Sequence, residues 1–147
     1  MIQVDGINFI EHLGFDPFHE GNRLISSIWL SQHLFGKTTH ISADTIYATN
    51  KNRKYCTFNG ITTNFSRKGR AGKHEQHRKL ISRELNKERA TRMEGSFGTE
   101  KEHYGLQRIK AKIKANETLW IFFGVHTANA VRMAKKMQAR QQDQQAA

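Results

Sequence analysis

Two carboxylates occupy positions from which chemistry can be done. Asp44 closes the stretch Thr38–Ala43 (TTHISA), which reads as a short strand opening into a turn. Ligand-binding residues of α/β sheets gather at such strand ends, although a turn or cap aspartate leaves the same trace. Glu94 lies in ERATRMEGSFGTEKEHYGL. On a helix, two positions seven residues apart differ by only about 20° around the axis, so Glu94 and Lys101 share a side. Phe97, Tyr104 and Arg108 fall roughly on that side if the helix runs on. A carboxylate, a cation and an aromatic on one stripe can hold a metal, a phosphate and a base, and the same stripe is equally the pattern of a solvated face. Gly95, Gly98 and Gly105 each cost about 1 kcal/mol inside a helix relative to Ala. Close approach of another backbone or of DNA would explain them, and Gly105 also suits a helix end.

Other chemically capable side chains read as structural. His74 and His77 are three apart with no third ligand near them in sequence, so they belong with the basic loop before them. His126, Trp29 and Trp120 are expected in the core, and Cys56 as a small buried residue of its helix. As the sole cysteine, it excludes an intrachain disulfide and a cysteine zinc cluster.

Charge suggests the partner. The 147 residues hold 24 Lys and Arg against 13 Asp and Glu, a formal charge of +11. Residues 1–50 hold two basic and five acidic residues, so the excess lies beyond them. Between Arg67 and Arg92 stand ten Lys/Arg against three glutamates. So lopsided a field favours a polyanion, DNA or RNA, without implying base readout. With 37% hydrophobic and 10% aromatic residues the chain is no disordered tail. No apolar run approaches the roughly 20 residues of a membrane span. The opening MIQVDGINF lacks the basic and apolar regions of a signal peptide, so a soluble cytoplasmic protein with no membrane partner is expected.

The elements that must position these residues follow from pattern. Asp5-Gly6 is a two-residue hairpin turn, pairing Val4 with Ile7 and Ile2 with Phe9. A helix over about Asn22–Phe35 has Leu24, Ile25, Ile28 and Phe35 as its apolar stripe and Gly36 as its cap. Thr49 or Asn50 caps a short helix through Cys56, ended by Asn59-Gly60. Ile61, Thr63 and Phe65 alternate as a strand, and Lys68–Lys73 is a flexible basic loop. Residues 75–103 are helical in two pieces. Asn116 caps a last helix whose LWIFFGV run (119–125) is predicted to be buried all round, and the tail beyond Arg140 to fray. The order of elements gives an α/β fold.

The runs ADTIYATNKNRKYCTFNGI and RMEGSFGTEKEHYGLQRIKAK, with INFIEHLGFDPFHEGNRL before them, resemble the catalytic domain of bacterial insertion-sequence transposases of the DDE class. The resemblance covers about Gly6 to Ala130. It rests on a strand delivering Asp44, Tyr47 three residues on, the pair Asn52-Arg53, and then Glu94, six residues and Lys101. It implies an RNase H-like mixed sheet flanked by helices and a two-metal site for Mg²⁺ or Mn²⁺ held by carboxylates. It further implies DNA cleavage and strand transfer at transposon ends. By position Asp44 corresponds to the second family carboxylate and Glu94 to the third, both catalytic and metal-binding. Lys101 corresponds to the lysine that binds transposon-end DNA, and the role extends to Arg108, Arg89 and Arg92.

Two departures stand out. The family often has Arg four residues before the Glu and Tyr three residues earlier; here those positions are Ala90 and Lys87. The first family Asp sits on a strand upstream of the Asp5-Gly6 hairpin, and neither Asp5 nor Asp16 is a good substitute. The expectation is therefore an N-terminally truncated C-terminal part of a transposase. It comprises a partial catalytic domain over 1–140 and a disordered tail over 141–147, inactive alone and prone to low solubility or to pairing with a copy or a complementing chain. The alternative is a non-catalytic DNA-binding remnant.

Overall fold

The computed structural model describes residues 1–145, which form two compact units: residues 1–13 with 93–145, and Gly14–Arg92. The fold is mixed α/β, with helices and two small sheets.

In the first unit, strands β1 (Ile2–Val4) and β2 (Ile7–Phe9) pair antiparallel, with Ile2 opposite Phe9 and Val4 opposite Ile7, as the turn residues predict. Asp5 (φ 48°) and Gly6 (φ 75°) both take the positive φ that a type I′ turn demands. Lys136 Nζ holds the strained Asp5, reaching its carboxylate at 2.9 Å and its carbonyl at 2.5 Å.

The second unit begins with a 3₁₀ turn (Glu20–Arg23) leading into α1 (Leu24–Phe35). Strand β3 (His40–Ile41) lies parallel to β4 (Thr62–Thr63), and between them run a 3₁₀ turn (Thr45–Tyr47) and α2 (Asn50–Phe58). Thr49 caps α2 as predicted, its hydroxyl accepting from Asn52 N at 3.2 Å. Leu24, Ile28, Cys56, Ile61 and Phe65 form the core. Each such aliphatic or aromatic side chain contributes about 1.5–3 kcal/mol on burial.

Helix α3 (Glu75–Glu88) passes through a π-helical turn (Arg89–Glu94) into α4 (Gly95–His103), so the two predicted pieces meet in a wide turn. Helix α5 (Lys114–Gln145) ends the described chain.

Several expectations are corrected. The strand predicted over Thr38–Ala43 shrinks to two residues because the side chain of Asn64, not a neighbouring strand, takes the backbone groups of Ala43. Phe35 is exposed at the end of its stripe, and Trp29 is 64% exposed and stacked on His33. Helix α5 starts two residues before Asn116 and continues through Gln145, where fraying was predicted; its tail is rich in Gln, Ala and Arg, all tolerated in helices. Residues 146–147 of the predicted tail lie outside the described residues. The 119–125 run is buried only at Gly124 and Val125, while Leu119, Trp120, Phe122 and Phe123 are exposed. The buried strip of α5 is made instead of Gly124, Val125, Ala128 and Asn129, which lets neighbouring backbone come close. A Cβ on Gly124 would stand 2.7 Å from Leu106 Cδ2 and 3.0 Å from Tyr104 O. His126 accordingly lies exposed beside Phe122 and not in the core.

Candidate functional site

Asp44 stands three residues after the end of β3, exposed, and caps the 3₁₀ turn that follows. Its Oδ1 accepts from Thr45 N at 2.6 Å and from Thr45 Oγ1 at 3.2 Å. Both readings of this residue are thus compatible with its place: it caps a turn, and it is delivered at a strand end.

The backbone around Asp44 is pinned from three sides. Asn64 Oδ1 accepts from Ala43 N at 3.0 Å while its Nδ2 donates to Ala43 O at 2.8 Å, closing both polar groups of the preceding residue. Asn52, buried, donates from Nδ2 to Tyr47 O at 2.8 Å and to Gly21 O at 2.7 Å. Arg53 donates from Nε to Ala48 O at 2.9 Å and from Nη1 to Ser66 O at 2.5 Å, with its guanidinium over the Phe65 ring. The Asn52-Arg53 pair therefore shapes the segment that carries Asp44. At Gly21 the packing is close enough that a Cβ would meet Ile46 O at 2.6 Å.

Glu94 ends the π turn, exposed, and caps α4 with helical backbone angles. Backbone that stays helical from Glu94 to Lys101 keeps the predicted stripe in part, and Lys101 is exposed. The helix stops at His103, with Gly105 at φ 70° just beyond, so Arg108 leaves the stripe for the exposed segment between α4 and α5. A Cβ on Gly95 or Gly98 would meet nothing within 4 Å, so the predicted close approach to them is not made inside the chain. Arg92 pairs with Glu88 one turn earlier, and Arg89 is half-buried at the same turn. Asp44 belongs to the Gly14–Arg92 unit and Glu94 to the other.

Five polar residues, Asn64, Asn8, Glu100, Asn129 and Arg132, build hydrogen-bonded contacts that escaped the sequence reading. Besides Asn64, the first unit holds a buried network in which Glu100 Oε1 accepts from Asn8 Nδ2 at 2.5 Å and Arg132 Nη1 at 3.2 Å. Asn8 and Asn129 exchange two bonds, Asn8 N to Asn129 Oδ1 at 3.0 Å and Asn129 Nδ2 to Asn8 O at 2.7 Å. The signals available were an Asn on the apolar arm of a hairpin and Ser96-Glu100 at helical spacing. Neither says which distant group is the partner.

Elsewhere the charges behave as their surroundings require. The Arg78 guanidinium, 2.6 Å from Glu75, holds that carboxyl below its ordinary range and is itself raised. Burial pushes the Cys56 thiol up.

The donor chemistry of Asp44 and Glu94, hard carboxylate oxygens, fits Mg²⁺ or Mn²⁺. The donor number does not: among the described residues no three His, Cys, Asp or Glu side chains gather as a metal set. No described helix is long and apolar enough to cross a membrane.

A family model described as transposase DDE domain matches residues 41–134, nearly two thirds of the chain. The chain belongs to that family. The matched span of this transposase DDE domain begins three residues before Asp44 and includes Glu94, Lys101 and the first part of α5. Comparison with curated proteins and with solved structures returned no match.

Proposed function

We propose that the chain is a DNA transposase segment in which Asp44 and Glu94 are the metal-holding carboxylates and Lys101 contacts transposon-end DNA. The observation that carries this reading is the family match over 41–134, which contains all three residues. The parallel pair β3 and β4, joined through α2, supports an RNase H-like sheet as the parent architecture. Arg89, Arg92 and Arg108 extend the cationic contact to phosphate, and the chain works on DNA in the cytoplasm.

Among the described residues no three His, Cys, Asp or Glu side chains gather as a metal set, which supports the reading that Asp44 and Glu94 form an incomplete site and that this chain does not cut DNA by itself. A further carboxylate, from another copy or a complementing chain, completes the site. Asp44 and Glu94 would hold a divalent metal that activates the attacking oxygen and stabilises the leaving one, and two carboxylates alone would leave a metal pair under-ligated.

The test is nicking of supercoiled plasmid in Mg²⁺ or Mn²⁺, alongside duplex binding. The chain alone should bind DNA and leave the plasmid intact, and Asp44→Ala and Glu94→Ala should leave binding unchanged. Metal-dependent nicking by the chain alone, lost on either substitution, would overturn the claim of an incomplete site. The lack of a three-group cluster among the described residues also fits a second reading, a DNA-binding remnant with no catalytic role. It predicts that supplying the missing carboxylate in trans restores nothing.

A further inference from the structure

Helix α3 borders a groove of about 430 Å³ lined by Ser66, Arg78, Lys79, Ser82, Arg83 and Asn86, with no acidic residue among them. Its floor is fixed. Arg78 is held by Glu75 and donates from Nη1 to Phe65 O at 3.1 Å. Ser82 Oγ donates to Asn64 O at 2.9 Å, and Asn86 Oδ1 accepts from Asn64 Nδ2 at 2.7 Å. Its rim is different. Lys79 and Arg83 are exposed, lie one turn apart on α3, and make no hydrogen bond or ion pair among the described residues.

We propose that this groove is a binding site for the phosphate backbone of duplex DNA, with Lys79 and Arg83 as its phosphate contacts. The proposal rests on the reading of the chain as a DNA transposase segment and adds a site which that reading does not assign. Three observations meet here. The cations are aligned, four residues or about 6 Å of helix rise apart, so both can reach one strand. Neither is tied up in a hydrogen bond or salt bridge among the described residues, Lys79 meeting the Arg78-paired Glu75 only through its field, so phosphate contact breaks no ion pair. The bed beneath them is fixed, because Arg78, Ser82 and Asn86 are each tied to residues 64–65, which follow β4.

The same bed reaches the candidate carboxylate. Asn64, which bonds Asn86, also closes both backbone groups of Ala43, the residue before Asp44. DNA lying in the groove is thereby held against an element hydrogen-bonded to the strand end that carries Asp44.

Fluorescence anisotropy with a labelled duplex of arbitrary sequence, across a salt series, tests the site. Each phosphate contact contributes roughly one to the slope of log affinity against log salt. Lys79→Ala/Arg83→Ala should flatten the slope by about two and weaken binding about tenfold or more in ~0.1 M salt. A charge-matched control, Lys135→Ala/Arg140→Ala, removes two exposed cations of α5 and should leave the slope nearly unchanged. Equal flattening by both pairs would overturn the groove and leave only diffuse charge. An unchanged slope in the Lys79/Arg83 variant, with wild-type binding intact, would also overturn it while sparing the DNA reading. Absence of duplex binding by the wild-type chain would overturn both.

Discussion

Glu100 offers the sharpest quantitative test of how the first unit is held together. Its side chain is 2% exposed, against 22% for its partner Arg132, and one oxygen serves both Arg132 and Asn8. Glu100→Ala strands Arg132 and removes an acceptor from Asn8, although Asn8 Nδ2 keeps Ser96 Oγ at 2.6 Å. Breaking a fully buried ion pair costs about 3–5 kcal/mol. Partial exposure of Arg132 lets water take up some of the loss, which puts the expectation near the lower end, about 3 kcal/mol. Glu100→Gln keeps the volume and an oxygen for Asn8 but loses the charge, for about 1–2 kcal/mol. Urea unfolding followed by Trp120 fluorescence in a Trp29→Phe background reads this unit, because Trp120 Nε1 donates to Gly105 O within it. With a urea slope of ~1–3 kcal/mol/M, the alanine variant should lose about 1–3 M in midpoint. A cycle with Arg132→Ala should return a coupling of about 1–3 kcal/mol. A loss below about 1 kcal/mol in Glu100→Ala, or no coupling to Arg132, would refute the view that this network fastens hairpin, α4 and α5 together.

Three further outcomes are expected. Asn52→Ala leaves Gly21 O and Tyr47 O without their donor and should destabilise the Gly14–Arg92 unit by about 2–3 kcal/mol, read by Trp29 fluorescence in urea. Gly21→Ala drives a methyl to 2.6 Å from Ile46 O and should cost about 1–3 kcal/mol in the same assay; a neutral result would mean that the 3₁₀ turn moves freely. The Cys56 thiol should resist alkylation at pH 8 in the folded chain and react fully in guanidinium. Because burial raises its folded pKa above the unfolded value, its protonated form favours the fold below that unfolded value. The contribution is lost as pH climbs through the raised one. Unfolding midpoints of wild type and Cys56→Ala should therefore converge in their pH dependence at neutral pH and part only above about pH 9.

What could be read from the sequence is local. The register of the Asp5-Gly6 hairpin, the Thr49 cap, the Gly36 and Asn59-Gly60 ends and the buried Cys56 all follow from short-range rules of turn geometry and capping. The placement of Asp44 after a strand follows from the same kind of signal. What could not be read depends on partners far along the chain. Asn64 replaces a strand neighbour for Ala43 from 21 residues away, and Asn8 finds Asn129 across 121. Hydrophobicity misled on α5, where bulk at Trp120 and Phe123 suggested burial. The buried strip is built from small residues and an Asn because neighbouring backbone approaches closely at Gly124. The stripe from Glu94 to Arg108 failed at its far end for a simple reason: Gly105 takes a positive φ and the helix stops before it. The family resemblance read from Asp44, Asn52-Arg53 and the Glu94–Lys101 spacing agrees with the match over 41–134.

The most direct test of the central claim, that Asp44 and Glu94 hold the metal, is an Mn²⁺ titration of the ¹⁵N-labelled chain followed by paramagnetic broadening of its amide resonances. The account predicts selective broadening at Thr45 and at Gly95 with sub-stoichiometric metal, lost at the first with Asp44→Ala and at the second with Glu94→Ala. Broadening confined to other sites, such as His74 and His77, or persisting at Thr45 and Gly95 when both carboxylates are removed, would contradict it.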